Sequence, residues 1–291
     1  MSKDILLYPR LIRSTPLVGE SAEKAMRERV QEVVQDLEQD EKNNTNKFKI
    51  SIVIRTLNEI DDLRRILDDI DQQKSIAQTE VIVVDNESTD GTPELAKKYG
   101  AKIISLAREG FTYPRSMNLG VEAASNDLVF LTVGHVGFSN RYLLAGAARH
   151  FENEKVGGVF AFSLLGENAS KTEKLLKARA VKSHLKPAFK IRKASMGVLG
   201  ATGCMFSKEV WNSLGKFDES YEIGGEDLAL AKKMLENGYD IVEDPVASVH
   251  HSHGLGPINY ARQVARWFKS THPNTIDLKE LRKGRPDRNF S

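Results

Sequence analysis

The chain has 291 residues, 40% apolar and 28% charged, enough for one large domain or two small ones around a sizeable core. Its formal charge of +2 excludes the cationic surplus of a dedicated nucleic-acid binder, so partners must be read from sites. One cysteine, Cys204, excludes an intramolecular disulfide and a cysteine-ligated zinc site and makes a reducing, cytoplasmic setting the expectation; no apolar run reaches the roughly 20 residues of a membrane span, and MSKDILLYPRLIRS lacks the features of a signal peptide.

In chain order, SAEKAMRERVQEVVQDLEQD (Ser21 to Asp40) predicts an amphipathic helix, with Ala25, Val30, Val33, Val34 and Leu37 at helical spacing. The polar run EKNNTNK then reads as a linker. From Lys49, strands alternate with helical patterns: KISIVIRT, IDDLRRILDDIDQQ, EVIVVD, TPELAKKYG, AKIISL, RSMNLGVEAAS and LVFLTV. Such alternation predicts an α/β fold with crossover connections, a Rossmann-like, mainly parallel central sheet flanked by helices, and here an N-terminal helical extension. The chain divides into an extension over 1–47, a main domain over 48–256, and a basic helix and tail over 257–291.

In an open parallel sheet, ligands sit beyond the carboxyl ends of the strands, so the loops there carry the chemistry. The first is RTLNE, Arg55 to Glu59; the second is VDNESTDGT, where Asp85 and Asn86 end a strand and STDGTP makes a turn and a helix start. Turn chemistry alone accounts for Ser88 through Pro93, so that loop taken singly is as well explained by capping as by ligand binding.

The ordered set SIVIRTLNE, EVIVVDNESTDGT, Phe-Thr-Tyr-x-Arg-x-x-Asn, LVFLTVGHVG, FDESYEIGGEDLALAKKM and VHHSHG resembles family 2 of the glycosyltransferases, with the GT-A fold and a nucleotide-sugar donor, from about Lys49 to Gly254. That resemblance implies that Thr56, Glu59, Asp85 and Asn86 hold the base and ribose, that Gly134 lies beside the nucleotide, and that Arg115 faces the diphosphate, where a guanidinium offers forked donors. Arg55 departs from the family pattern, which has proline there. By the same resemblance, Asp227 is the base that deprotonates the acceptor hydroxyl and Glu226 its neighbour, both at a helix start behind Gly224 and Gly225. Transfer with inversion, to a hydroxyl of a glycan or lipid-linked acceptor in bacterial surface polysaccharide synthesis, is the implied reaction.

Most members of the family carry Asp-x-Asp at the end of the fourth strand to hold a divalent cation, but here the run is Thr132-Val133-Gly134-His135. His135 with His251 and His253 forms an alternative ligand set, suited to Mn2+ rather than Mg2+ because imidazole is a poor magnesium donor. Metal-free operation, with these histidines and Arg115 balancing the leaving-group charge, stays open on the residues alone. So does a catalytically silent nucleotide-sugar-binding module, favoured by the lost Asp-x-Asp and opposed by the intact Gly-Glu-Asp. Cys204 and Trp211 read as packing residues. The basic run KTEKLLKARAVKSHLKPAFKIRK, with Arg262, Arg266, Trp267 and Lys269, raises peripheral membrane contact against a solvated helix face.

Overall fold

The computed structural model describes residues 20–42, 47–175, 189–191, 199–270 and 288–290. Its elements are α1 (Glu20–Lys42), β1 (Lys49–Thr56), α2 (Ile60–Asp71), β2 (Gln78–Asp85), α3 (Thr92–Lys98), β3 (Lys102–Ser105), α4 (Tyr113–Ala123), β4 (Leu128–Val133) and β5 (Gly137–Phe138). There follow α5 (Leu143–Ala148), β6 (Val156–Leu164), β7 (Phe189–Ile191), β8 (Gly203–Ser207), α6 (Lys208–Ser213), α7 (Glu226–Glu236), β9 (Asp240–His250), α8 (Pro257–Ser270) and β10 (Arg288–Phe290).

The sheet runs β10-β7-β9-β6-β8-β4-β1-β2-β3, with β5 on β9. Strands β1 to β4 pair in parallel, and β1 is buried along almost its whole length, as a strand covered by helices on both faces must be. The second half departs from the parallel expectation. Strand β8 enters antiparallel between β4 and β6, and β7 lies antiparallel to β9, while β6 and β9 are parallel. The sheet is therefore mixed.

Alternation along β1 divides the core. Ile50, Ile52 and Ile54 meet the apolar row Leu63, Ile66, Leu67 and Ile70 of α2, whose i, i+3, i+4, i+7 spacing makes one helical face. Val53 belongs to the opposite layer, with Met117 and Val121 of α4, Trp211 of α6 and Leu230, Ala231 and Met234 of α7. Arg55, two residues further along β1, points to that second side.

Helix α1 lies against β9 and α5 through the buried Val30, Val33, Val34 and Leu37, which meet Tyr142, Ala145, Phe162 and Val246. Burying each such side chain contributes roughly 1.5–3 kcal/mol, so packing more than propensity holds this polar-rich helix. Leu37→Ala should cost about 2–5 kcal/mol in urea unfolding. A change within error would mean that α1 is not part of the cooperative unit.

Candidate active site

The parallel register brings the carboxyl ends of three strands level: Thr56 lies opposite Asp85, and Arg55 opposite Val133. The two leading loops are locked together. Asp90 accepts hydrogen bonds from Ile60 N–H, Thr92 N–H and Thr92 Oγ1, while Asn58 Oδ1 accepts from Thr89 N–H and Ser88 Oγ from Asn58 N–H. Partial burial works against the Asp90 anion, but the bonds from Thr92 and Ile60 outweigh it and hold its carboxyl below the usual range. Ser88 through Thr92 is thus occupied in fixing the first loop. Pro93 is the second residue of α3.

Asp85 and Asn86 are placed differently. Both are buried at the end of β2; Asp85 Oδ2 accepts from Ser88 N–H, whereas Asp85 Oδ1 and Asn86 Oδ1 have no hydrogen-bond partner. Two buried acceptors left open at a strand end fit the N–H and O–H groups of a bound base and ribose, since burial without a partner is costly. Thr56 and Glu59, expected beside them, face each other instead: Thr56 Oγ1 donates to Glu59 Oε2 at 3.0 Å.

The other oxygen of Glu59 explains His135. His135 Nδ1 lies 2.6 Å from Glu59 Oε1, so Nδ1–H donates to the carboxylate and Nε2 is left as the bare nitrogen. Nε2 in turn sits 3.0 Å from Nε2 of His251, and ligand atoms of His135, His251 and His253 all lie within 4.8 Å of one another. Two imidazole nitrogens at that distance call for a proton or a cation between them. Metal–nitrogen bonds of about 2.1 Å at right angles separate their nitrogens by about 3.0 Å, so the pair has the spacing of adjacent metal ligands. Three imidazoles, one of them backed by a carboxylate, fit a divalent transition-metal ion.

Pairing of β5 with β9 produces this convergence. Gly137 lies opposite His250, so the residues just outside each strand end meet. Strand β9 stops at His250, whose Nδ1 donates to the Leu165 carbonyl; His251 and His253 lie beyond it, in the loop that follows. His253 N–H donates to Glu173 Oε1, while Glu173 Oε2 accepts from Ser170 N–H and Ser170 Oγ from Glu173 N–H, a reciprocal cap that anchors the end of the histidine loop. Sequence reading missed Glu173; the Ser-x-x-Glu spacing was the available signal. At Gly134 the N–H is taken by the Arg55 carbonyl, and an added Cβ would stand 2.4 Å from Glu59 Oε2, so what glycine supplies is room for the Glu59–His135 contact.

On the other face, the left-handed Gly224 and Gly225, with φ of 100° and 99°, launch α7. Asp227 Oδ2 accepts from Ala201 N–H at 3.0 Å and Oδ1 from Leu228 N–H at 2.8 Å, and part of the residue's surface stays open. Burial still lifts its carboxyl above the usual range, opposed by those two bonds and by the Arg55 charge. Glu226 is 1% exposed with Oε2 unpartnered, and burial, then the neighbouring Asp227 charge, pushes it up to about 7. Ionisation of the two carboxyls is coupled, the Asp227 charge being among the causes that raise Glu226.

A pH dependence of stability follows. The folded-state value of Glu226 lies above the ordinary 4.5, so its contribution is present below 4.5 and lost as pH rises through about 7. Glu226→Gln should raise the thermal midpoint relative to wild type more at about pH 8 than at about pH 5. An equal difference at both would rule out the protonated, buried acid.

Arg115 is exposed in the first turn of α4, its Nη1 donating to the Gly110 carbonyl. Asn118 is a clamp: its amide donates to the Phe217 carbonyl and Glu219 Oε1, and its oxygen accepts from Phe217 N–H. Cys204 and Trp211 are buried in the core, as expected. Most of the basic run after Lys174, and the side chains of Arg266, Trp267 and Lys269, lie outside the described residues. Among the described residues no helix is long and apolar enough to cross a membrane.

The family model "Glycosyl transferase family 2" matches residues 51–212. Among relatives, the O-antigen chain rhamnosyltransferase WbaN of Salmonella anatum is 27% identical over 212 residues, covering 68% of this chain and 63% of its own length. RfbN of Salmonella typhimurium, another O-antigen chain rhamnosyltransferase, is 26% identical over 225 residues, 72% of this chain and 68% of its own. The chain thus spans less than two thirds of the first of these. Among solved structures, the mannosyltransferase PcManGT of Pyrobaculum calidifontis with GDP-Man and Mn2+ superposes with a TM-score of 0.58 at 19% identity, over 83% of this chain and 67% of that one. S. aureus TarS 1–349 with UDP superposes at 0.56 and 18%, over 81% and 68%. These likenesses establish the GT-A-type fold.

Proposed function

The chain belongs to glycosyl transferase family 2, and from that membership we propose that it transfers a sugar, with inversion, from a nucleotide-diphospho-sugar to a hydroxyl of a glycan or lipid-linked acceptor in surface polysaccharide synthesis. The observation that carries this reading is Asp227, held at the start of α7 by two backbone N–H groups and open to the cleft at the strand ends. Those donors favour the ionised form, and a carboxylate so fixed is a general base for an acceptor hydroxyl.

In this reading, Asp85 Oδ1 and Asn86 Oδ1 receive the base and ribose. Arg115 swings from Gly110 to the diphosphate. Asp227 takes the proton of the acceptor hydroxyl as its oxygen bonds to the anomeric carbon. The bond from that carbon to the diphosphate breaks with its electron pair, and the nucleoside diphosphate leaves; a single displacement inverts the configuration. His135, His251 and His253 would hold a divalent transition-metal cation, Mn2+ being the first to test, with Glu59 behind His135; when bound, the ion would neutralise charge on the leaving diphosphate. The names of the two Salmonella relatives make a nucleotide-diphospho-rhamnose the first donor to test.

Incubation with donor and acceptor should release nucleoside diphosphate only when acceptor is present, and the product's anomeric configuration by NMR should be inverted. A retained configuration, or release independent of acceptor, overturns the assignment. Peripheral contact with an anionic membrane is a further part of this reading, suggested by the basic composition of the sequence from Lys171 to Lys193. Such contact predicts co-sedimentation with anionic vesicles that is lost at high salt.

A further inference from the structure

Glu173 is a buried carboxylate that the mechanism above leaves without a task. It is 1% exposed, so it belongs to the interior and not to the solvated surface. Its place becomes intelligible from the way the three histidines are held, each by a different group. His135 is fixed through its ring, by Glu59 Oε1 at 2.6 Å. His251 is fixed through its backbone, whose N–H donates to the Leu164 carbonyl at 3.0 Å. His253 is also fixed through its backbone, but by a side chain: its N–H donates to Glu173 Oε1 at 2.9 Å.

The second oxygen of Glu173 is anchored in turn. Glu173 Oε2 accepts from Ser170 N–H at 2.9 Å, where the chain enters a helical turn at Lys171. Around this pair the segment Leu164 to Ser170 is laced to the loop His250 to Leu255. His250 Nδ1 donates to the Leu165 carbonyl, Gly166 N–H to Ser252 Oγ, and Ser170 Oγ to the Leu255 carbonyl. Gly254, left-handed at φ 68°, turns the chain between His253 and Leu255. The Glu173 bond therefore falls on the ligand residue itself, in a loop whose two flanks are tied down.

The ring of His253 lies 4.6 Å from that of His251 and 5.1 Å from that of His135, centroid to centroid, so it closes the third side of the cluster. Unlike buried His251, His253 is exposed. Its ring is held in place only as well as its backbone is. A metal–ligand distance must be met to within about 0.2 Å, and a ligand that has to be ordered on binding weakens the site by the entropy of that ordering.

We propose that Glu173 is a positioning residue for the cation site: its buried carboxylate fixes the His253 backbone and so presents the third imidazole to an ion shared with His135 and His251. The inference rests on the reading of those histidines as metal ligands. It gives the two carboxylates behind the cluster separate tasks, since Glu59 sets the tautomer of His135 and Glu173 sets the place of His253.

The test is a double-mutant cycle read by electron paramagnetic resonance titration with Mn2+ alone, without donor or acceptor, on the full chain. Wild type, Glu173→Ala, His253→Ala and the double variant are compared, with Leu37→Ala as a destabilised control remote from the cluster. In Glu173→Ala, Mn2+ affinity should fall about 10–100-fold, the usual loss when a group that orients a metal ligand is removed. In the His253→Ala background the same change should cost nothing further, because Glu173 acts through His253. Unchanged affinity in a folded Glu173→Ala overturns the proposal, as does an equal loss in the His253→Ala background. A loss of the same size in Leu37→Ala also overturns it, since lowered stability would then account for the effect. If Glu173→Ala does not fold, Glu173→Leu, which fills the space without an acceptor, goes through the same cycle with the same outcomes. No Mn2+ binding by the wild type, or binding that His253→Ala leaves intact, would instead remove the metal reading itself, a result separate from these.

Discussion

Asp227→Asn is expected to lower kcat about a thousandfold, within the 10²–10⁴ range of general-base catalysis, while leaving donor affinity within about twofold. The loss amounts to about 4 kcal/mol of transition-state stabilisation. An amide has the size of the carboxylate and cannot take the acceptor proton. It also has one oxygen where two accept backbone N–H groups, from Ala201 and Leu228, so one donor loses its partner and stability should drop by about 1–3 kcal/mol. Thermal unfolding separates that loss from the kinetic one. In the wild type, activity should fall with decreasing pH at a point above the ordinary aspartate range, because burial raises the Asp227 carboxyl and protonation removes the base. A kcat within tenfold of wild type in folded Asp227→Asn would remove this residue from the mechanism.

Titration with UDP, GDP and dTDP should show binding that strengthens with Mn2+ over EDTA, and His135→Ala should abolish the difference. Glu59→Gln keeps an acceptor for Nδ1–H but loses the charge that makes Nε2 a good ligand, and should weaken the Mn2+ dependence about 10–100-fold. Gly134→Ala should weaken the Mn2+ dependence like Glu59→Gln and also cost stability, because its Cβ would displace the Glu59 carboxylate and press on the buried Thr56 at Oγ1 and Cβ. Equal binding in EDTA and Mn2+ by the wild type would defeat the metal assignment and leave the histidines as proton-bearing contacts to the diphosphate.

Much of the site lies close to the surface of the sequence. Asp85 and Asn86 end an apolar strand, and Glu226 and Asp227 follow two glycines, so strand periodicity and turn chemistry place them at the cleft without knowledge of the fold. The helix Ser21 to Asp40 was equally legible, its apolar spacing matching the buried Val30, Val33, Val34 and Leu37. Partnerships were not. Glu59 was grouped with the nucleotide contacts, yet its carboxylate is shared between Thr56 and His135, 76 residues away. Arg115 and Asn118 stand three residues apart on one helix, but one is exposed and the other clamps Phe217.

What the sequence by itself determined were the elements and the strand ends, because burial period, glycine and proline act over a few residues. Only the tertiary structure decided which strand ends meet: the antiparallel entry of β8 and the β5–β9 pairing that faces His135 with His251. Those depend on register between segments far apart in the chain. No local periodicity encodes that register, because it is set by the joint packing of both layers of the core.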